Sequence, residues 1–256
     1  MFANFEARIV RQDSCGIKFS SIIADRVAEL WYDTPRHPEI SLQQALASKV
    51  EIDRHAHAAW QEMGILRDYI VRPGDRVVEC GCHHGVTTIK LAAWVGQKGF
   101  VRAFDAVLFN AMIARRNFEI NGITNAAAYC VAIGGKRHVV NYQDESNVVV
   151  KQGGNIGQFS TVMVMLGDVI DEPVDVLKLD VEGCELEILE SSKDLVARIP
   201  RLAIEVHTDL LPRDGVARLL AVLGRRKLHV LWENGRFEPY IDQPITERVH
   251  LFSYDL

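Results

Sequence analysis

The sequence predicts an α/β protein built on a mostly parallel sheet with helices packed on both faces. Two patterns carry that reading. From about residue 75 onward, short apolar runs alternate with longer amphipathic ones, and strand–helix–strand repeated in this way forms a parallel sheet with right-handed crossovers. The apolar runs are also rich in Val, Ile and Leu and last only roughly 5–8 residues, as strands buried on both faces do.

Taken in order, residues 1–73 show no clear buried strand. From Ser41 to about Tyr69 the pattern is helical, and Pro73-Gly74 breaks it. This segment reads as a helical N-terminal cap on a domain spanning residues 74–256. The strands then follow as DRVVECG (75–81), GFVRAFD (99–105), AAAYCVAIG (126–134), VDVLKLDVEG (174–183), RLAIEVHT (201–208) and KLHVLWE (227–233). Between them VTTIKLAAWVGQ, LFNAMIARRNFEI, ELEILESSKDLVAR and GVARLLAVLGRR read as helices, with Asn121-Gly122 stopping the second. Residues 135–170 depart from the alternation. Turn signals at 144–147 and 153–155 mark a strand-rich insertion.

Composition narrows the function. Of 256 residues, 48% are hydrophobic and 25% charged, enough for a substantial core. The formal charge of −5 argues against nucleic acid as the main partner. No apolar stretch reaches the ~20 residues that span a bilayer, and the N-terminus lacks the apolar run of a signal peptide. Five cysteines at 15, 80, 82, 130 and 184 follow no regular spacing and read as reduced thiols in a cytoplasmic protein.

The stretch VVECGCHHGVTT, Val77 to Thr88, admits two readings. Cys80, Cys82, His83 and His84 suggest a metal. A structural zinc site, however, needs two separated ligand pairs, and no second pair lies elsewhere; the metal-free reading ranks first. The alternative is a glycine turn between a buried strand and a helix, where Gly81 and Gly85 let a ligand approach exposed N–H groups. Glu79 stands at the strand tip. Asp105 closes the next strand 24 residues after Gly81, the spacing at which an acid accepts ribose hydroxyls. His83 occupies a place where a diphosphate needs glycine, which disfavours NAD and favours S-adenosylmethionine.

A second constellation is KLDVEGCELEIL. Asp180 sits at a strand tip with Glu182-Gly183 in the turn beyond, where open α/β sheets bind ligands. In LAIEVH, Glu205 and His207 share a strand face, so Glu205 can orient His207 as a base.

VVECGCHHGVTT, FDAVLFNAMIARRNFEINGITN, DVLKLDVEGCELEIL and LAIEVH, in that order, resemble the FkbM-type family of S-adenosylmethionine-dependent methyltransferases. The resemblance covers roughly residues 74–210. It implies a class I methyltransferase fold, Rossmann-like and seven-stranded, with ITERVHLFSYDL as an antiparallel last strand. It further implies cofactor contacts at Glu79, Gly81, Gly85 and Asp105, with His83 in the cofactor turn. Asp180 and Glu182 would lie near methyl transfer, and His207 and Asp180 are the candidates for the base. Ala106, where proline is common, and His83, where asparagine is common, depart from the family pattern. The expected reaction is O-methylation of a hydroxyl on a sugar or small natural product, with a small-molecule or glycan acceptor and homo-oligomerisation allowed. The rivals are a nucleotide-dependent oxidoreductase and a non-catalytic scaffold on the same sheet.

Overall fold

The computed structural model describes residues 8–13, 16–23, 26–32, 62–142 and 159–254. Its centre is an eight-stranded sheet formed by β4 (Arg76–Cys80), β5 (Phe100–Asp105), β6 (Ala126–Cys130), β10 (Val176–Leu179), β11 (Arg201–Val206), β12 (Leu228–Trp232), β13 (Phe237–Pro239) and β14 (Val249–Ser253). Across the sheet the order is β13-β12-β14-β11-β10-β4-β5-β6. Strands β4, β5, β6, β10 and β11 pair in parallel, and β14 runs antiparallel to both β11 and β12. The sequence-based expectation of an antiparallel last strand is met. The sheet has one strand more than the seven expected, because a turn at Gly235 folds the short β13 back onto β12.

The helices are α1 (Val86–Val95), α2 (Leu108–Ile120), α3 (Leu166–Val169), α4 (Glu185–Ser191), α5 (Lys193–Val196) and α6 (Gly215–Leu223). Alternation along the strands divides the core into two layers. Val77, Val101, Val176, Ala203 and Phe252 pack with Leu91 and Val95 of α1 and with Leu66 and Ile70. Val78, Leu177, Leu179, Ile204 and Leu251 pack with Ile188 and Leu189 of α4 and with Leu219 and Leu223 of α6. Leu66 and Ile70 belong to a π-helical turn, Leu66–Ile70. That turn is tied to β11 by the buried Arg201, whose guanidinium donates to the Ile70 carbonyl at 2.6 Å and to both oxygens of Asp75 at 2.7 and 2.8 Å.

The N-terminal region departs from the helical reading. β1 (Arg8–Asp13), β2 (Gly16–Ile23) and β3 (Arg26–Tyr32) form an antiparallel three-stranded sheet. The charged residues interspersed among apolar ones in 8–32 hid this pattern from a search for continuous apolar runs. Most of the stretch expected to be helical from Ser41 lies outside the described residues. Within residues 135–170, β8 (His138–Tyr142) and β9 (Phe159–Met165) make a separate sheet with β7 (Ala132–Gly134), which precedes the expected insertion, in the order β7-β9-β8. The turn signals between β8 and β9 lie outside the described residues.

Candidate active site at the carboxyl edge of the sheet

Chain order runs from β4 outward to β5 and β6, then returns to the other side of β4 as β10. That reversal opens a crevice beyond the strand ends, the place where α/β sheets bind ligands. A cleft of about 270 Å³ lies there. Gly81, His83, Asp105, Asn110, Asp180 and Glu182 line it, and Ala132, Ile133 and Met163 of the smaller sheet help to wall it.

The turn after β4 is built by backbone geometry. Gly81 and Gly85 have φ of +87° and +78°, and His83 between them takes +46°, a left-handed conformation that costs a non-glycine residue energy. A Cβ on Gly81 would lie 1.6 Å from the Asp180 carbonyl oxygen. This glycine therefore serves first to let the two loops of the crevice touch. Gly85 begins α1 and faces Phe118 and Ala114, so it shapes the turn without lining the cleft.

Asp105 holds the His83 backbone in place. One carboxylate oxygen accepts the His83 N–H at 2.8 Å; the other accepts the Val107 N–H at 2.9 Å and the Asn110 side-chain amide at 3.1 Å. A carboxylate offers about four lone-pair sites, so one remains for a ligand hydroxyl, on the oxygen shared with His83.

Glu79 is placed differently from the expectation. Period-two alternation points it, like Val77, to the face away from the cleft. It is fully buried and accepts the Thr88 hydroxyl at 2.6 Å through Oε2, while Oε1 has no hydrogen-bond partner. Burial raises its pKa to about 7, offset in part by the neighbouring Lys178 ammonium.

The residues of the second constellation lie beside one another, with a further member that sequence reasoning missed. Glu182 and Gly183 both take positive φ, 50° and 97°, turning the chain from β10 into α4. The fully buried Glu185 opens that helix. Its carboxylate accepts the backbone N–H groups of Val181 and Gly183 and lies 2.7 Å from Nδ1 of His207. Glu185, rather than Glu205, orients the imidazole. Nε2 of His207 then faces Glu182 Oε2 at 3.4 Å, Glu205 Oε1 at 3.7 Å and Asp180 Oδ1 at 4.0 Å.

Although burial opposes charge on the ring, the hydrogen bond that Nδ1 donates to Glu185 and the surrounding carboxylates outweigh it and raise the His207 pKa to about 9. A ring charged at neutral pH donates a proton instead of accepting one. Asp180 is bound by the Lys178 ammonium at 3.2 Å, and Lys178 and His207 hold its carboxyl below the usual range despite burial. Glu182 lines the cleft and makes no side-chain hydrogen bond, which leaves it the freest carboxylate there.

The cysteine–histidine cluster does not assemble. His83 and His84 stack ring on ring with centroids 3.8 Å apart, and burial pushes the Cys80 and Cys82 thiols well up, away from the thiolate a metal requires. All four cysteines among the described residues are free. Among the described residues no helix is long and apolar enough to cross a membrane.

The family model described as Methyltransferase FkbM domain matches residues 66–228. No curated protein matches the chain. Among solved structures it is similar to the methyltransferase FkbM from Methylobacillus flagellatus KT, at 16% identity and a TM-score of 0.49, covering 72% of this chain and 48% of that one. It is similar also to a SAM-dependent O-methyltransferase from Thermotoga maritima, at 17% identity and a TM-score of 0.43, covering 91% and 76%. An rRNA methylase from Streptococcus thermophilus matches at 17% identity and a TM-score of 0.44, covering 76% and 94%.

Proposed function

This chain belongs to the FkbM methyltransferase family, and from that premise we propose that it transfers the methyl group of S-adenosylmethionine to a hydroxyl oxygen of a sugar or small natural product. The observation that carries the reading is the cleft itself, which joins the ribose-type acceptor Asp105 to the carboxylates Asp180 and Glu182 across the Gly81–Asp180 contact. The residues fit a phosphate-free nucleoside better than a dinucleotide. His83 stands where a diphosphate would need glycine, and its N–H is committed to Asp105.

In this reading Asp105 would accept a ribose hydroxyl on its remaining lone pair, and the 81–83 turn and Asp180 would hold the methionine portion. S-adenosylmethionine supplies an electrophilic methyl group on a sulfonium. The protein's contribution is alignment of nucleophile and methyl in the crevice and an acceptor for the hydroxyl proton. Glu182 takes that proton, since Asp180 is committed to Lys178 and His207 is already charged. Glu185 and His207 are positioning residues that fix the turn carrying Glu182. The overall negative charge and the carboxylates at the crevice favour a small or glycan acceptor over a polyanion such as RNA.

Calorimetry with S-adenosylmethionine, S-adenosylhomocysteine and NAD tests the proposal. Binding of both sulfur nucleosides without NAD supports it. Absence of S-adenosylhomocysteine binding at high micromolar concentration overturns it, and selective NAD binding would favour an oxidoreductase.

A further inference from the structure

The same sheet edge carries a feature that hydroxyl methylation alone does not require. Asp180, Glu205 and His207 each present one ligand atom, and the three lie within 4.8 Å of one another. They project from the ends of the adjacent strands β10 and β11. His207 is only 1% exposed, and its Nε2 is ion-paired with carboxylate oxygens of Glu182, Glu205 and Asp180 at 3.4, 3.7 and 4.0 Å; a cation bound among them would take the place of the ring proton. Asp180 gives Oδ2 to Lys178 and leaves Oδ1 on the His207 side.

Two further details point to an ion. Oxygen and nitrogen ligands about 2.1 Å from a cation are themselves about 3 Å apart when adjacent in an octahedron, so donors lying 3.7 and 4.0 Å from Nε2 and all within 4.8 Å of one another would close on an ion by about 1 Å. Glu185 binds the opposite ring nitrogen at 2.7 Å, the carboxylate support that metal-bound histidines characteristically have.

We propose that Asp180, Glu205 and His207 form a divalent-cation site at the inner end of the cleft. Two carboxylates and one imidazole, without thiolate, suit Mn²⁺ or Mg²⁺. Six-coordination leaves positions open for an acceptor with two neighbouring oxygens. The ion's role there rests on the methyl-transfer reading. It would hold the acceptor hydroxyl and lower its pKa, and Glu182, not needed as a ligand, would receive the proton.

The test uses the full chain, stripped by chelator and titrated with MnCl2 without cofactor, free Mn²⁺ being followed by electron paramagnetic resonance. One ion per chain is expected, with a Kd on the order of 1–100 µM, weakened about tenfold or more by Glu205→Gln and by Asp180→Asn. Circular dichroism confirms that the variants fold. Should either fail to fold, electron spin echo modulation of Mn²⁺ on the unaltered chain reads the site directly: an imidazole nitrogen coupling supports it, and a bound ion without that coupling overturns it. No binding at about 1 mM Mn²⁺, or equal affinity in the folded variants, also overturns it. S-adenosylhomocysteine binding without Mn²⁺ binding removes the ion and leaves the methyl donor; the opposite pattern removes the methyl donor and leaves the ion.

Discussion

Replacing Asp105 by asparagine tests the cofactor half of the cleft with little change in volume. The wild-type carboxylate receives three donors, two on one oxygen and the His83 N–H on the other. Asparagine has a single acceptor oxygen. If that oxygen keeps Val107 and Asn110, the new NH2 group confronts the His83 N–H, and a residue already at φ +46° loses the bond that holds it. An unsatisfied donor of this kind costs about 1–3 kcal/mol. The ligand loses as well, because the free lone pair lies on the oxygen that becomes NH2. A hydrogen bond to a charged acceptor contributes about 1.5–3 kcal/mol, or roughly 10- to 150-fold in affinity. Calorimetry with S-adenosylhomocysteine and urea unfolding should therefore both move, with affinity falling at least tenfold and stability by about 1–3 kcal/mol. Unchanged affinity in a folded Asp105→Asn protein would refute the placement of the ribose.

Other substitutions probe the frame. Gly81→Ala combines a left-handed φ with a collision against a backbone carbonyl; chemical denaturation should show a loss of about 2–6 kcal/mol, and a loss below about 1 kcal/mol would mean the two loops separate easily. Arg201→Met strands the buried Asp75 carboxylate and should cost about 3–5 kcal/mol, with Asp75→Leu restoring much of it in the double variant; additive losses would deny the coupling. Burial on folding raises the Glu79 carboxyl from its ordinary 4.5 to about 7. The folded state thus binds the extra proton, and stability falls as pH rises from about 4.5 to 7, by about 3 kcal/mol, then levels off. Melting of Glu79→Gln between pH 5 and 8 should show a flatter profile than the parent, and parallel profiles would show that Thr88 and Lys178 already hold the carboxylate charged against burial and the neighbouring Asp180 and Glu62.

Much of the sheet was legible because each buried strand announces itself as an apolar run. Where one run serves two sheets, the signal is silent. AAAYCVAIG reads as a single strand, but at Val131, whose N–H is taken by the Asp105 carbonyl, the chain leaves the main sheet to pair with β9. Asp105, Asp180 and Glu182 were recognisable because strand ends collect at one edge, and the structure brings all three to the cleft. Glu79 was misplaced through its closeness in sequence to the glycine turn, although the alternation that buries Val77 already indicated the other face. Glu185 looked like an ordinary acid in the first turn of a helix. Its contact with His207 spans 22 residues, a relation that neither periodicity nor composition encodes.

The meeting of Gly81 with the Asp180 carbonyl has a consequence for how the pocket can diversify. In the proposed methyl transfer, the Gly81–Asp180 contact would space the donor and acceptor ends of the crevice by main chain, so the reach of the transferred group would not depend on which side chains surround it. The wall contributed by the smaller sheet, with Ala132, Ile133 and Met163, stands apart from that spacing. Exchange of those apolar residues would redraw the outline of the admitted molecule while the reaction distance stayed constant. Selectivity and reactivity are thereby assigned to different parts of the chain, and each can be altered alone.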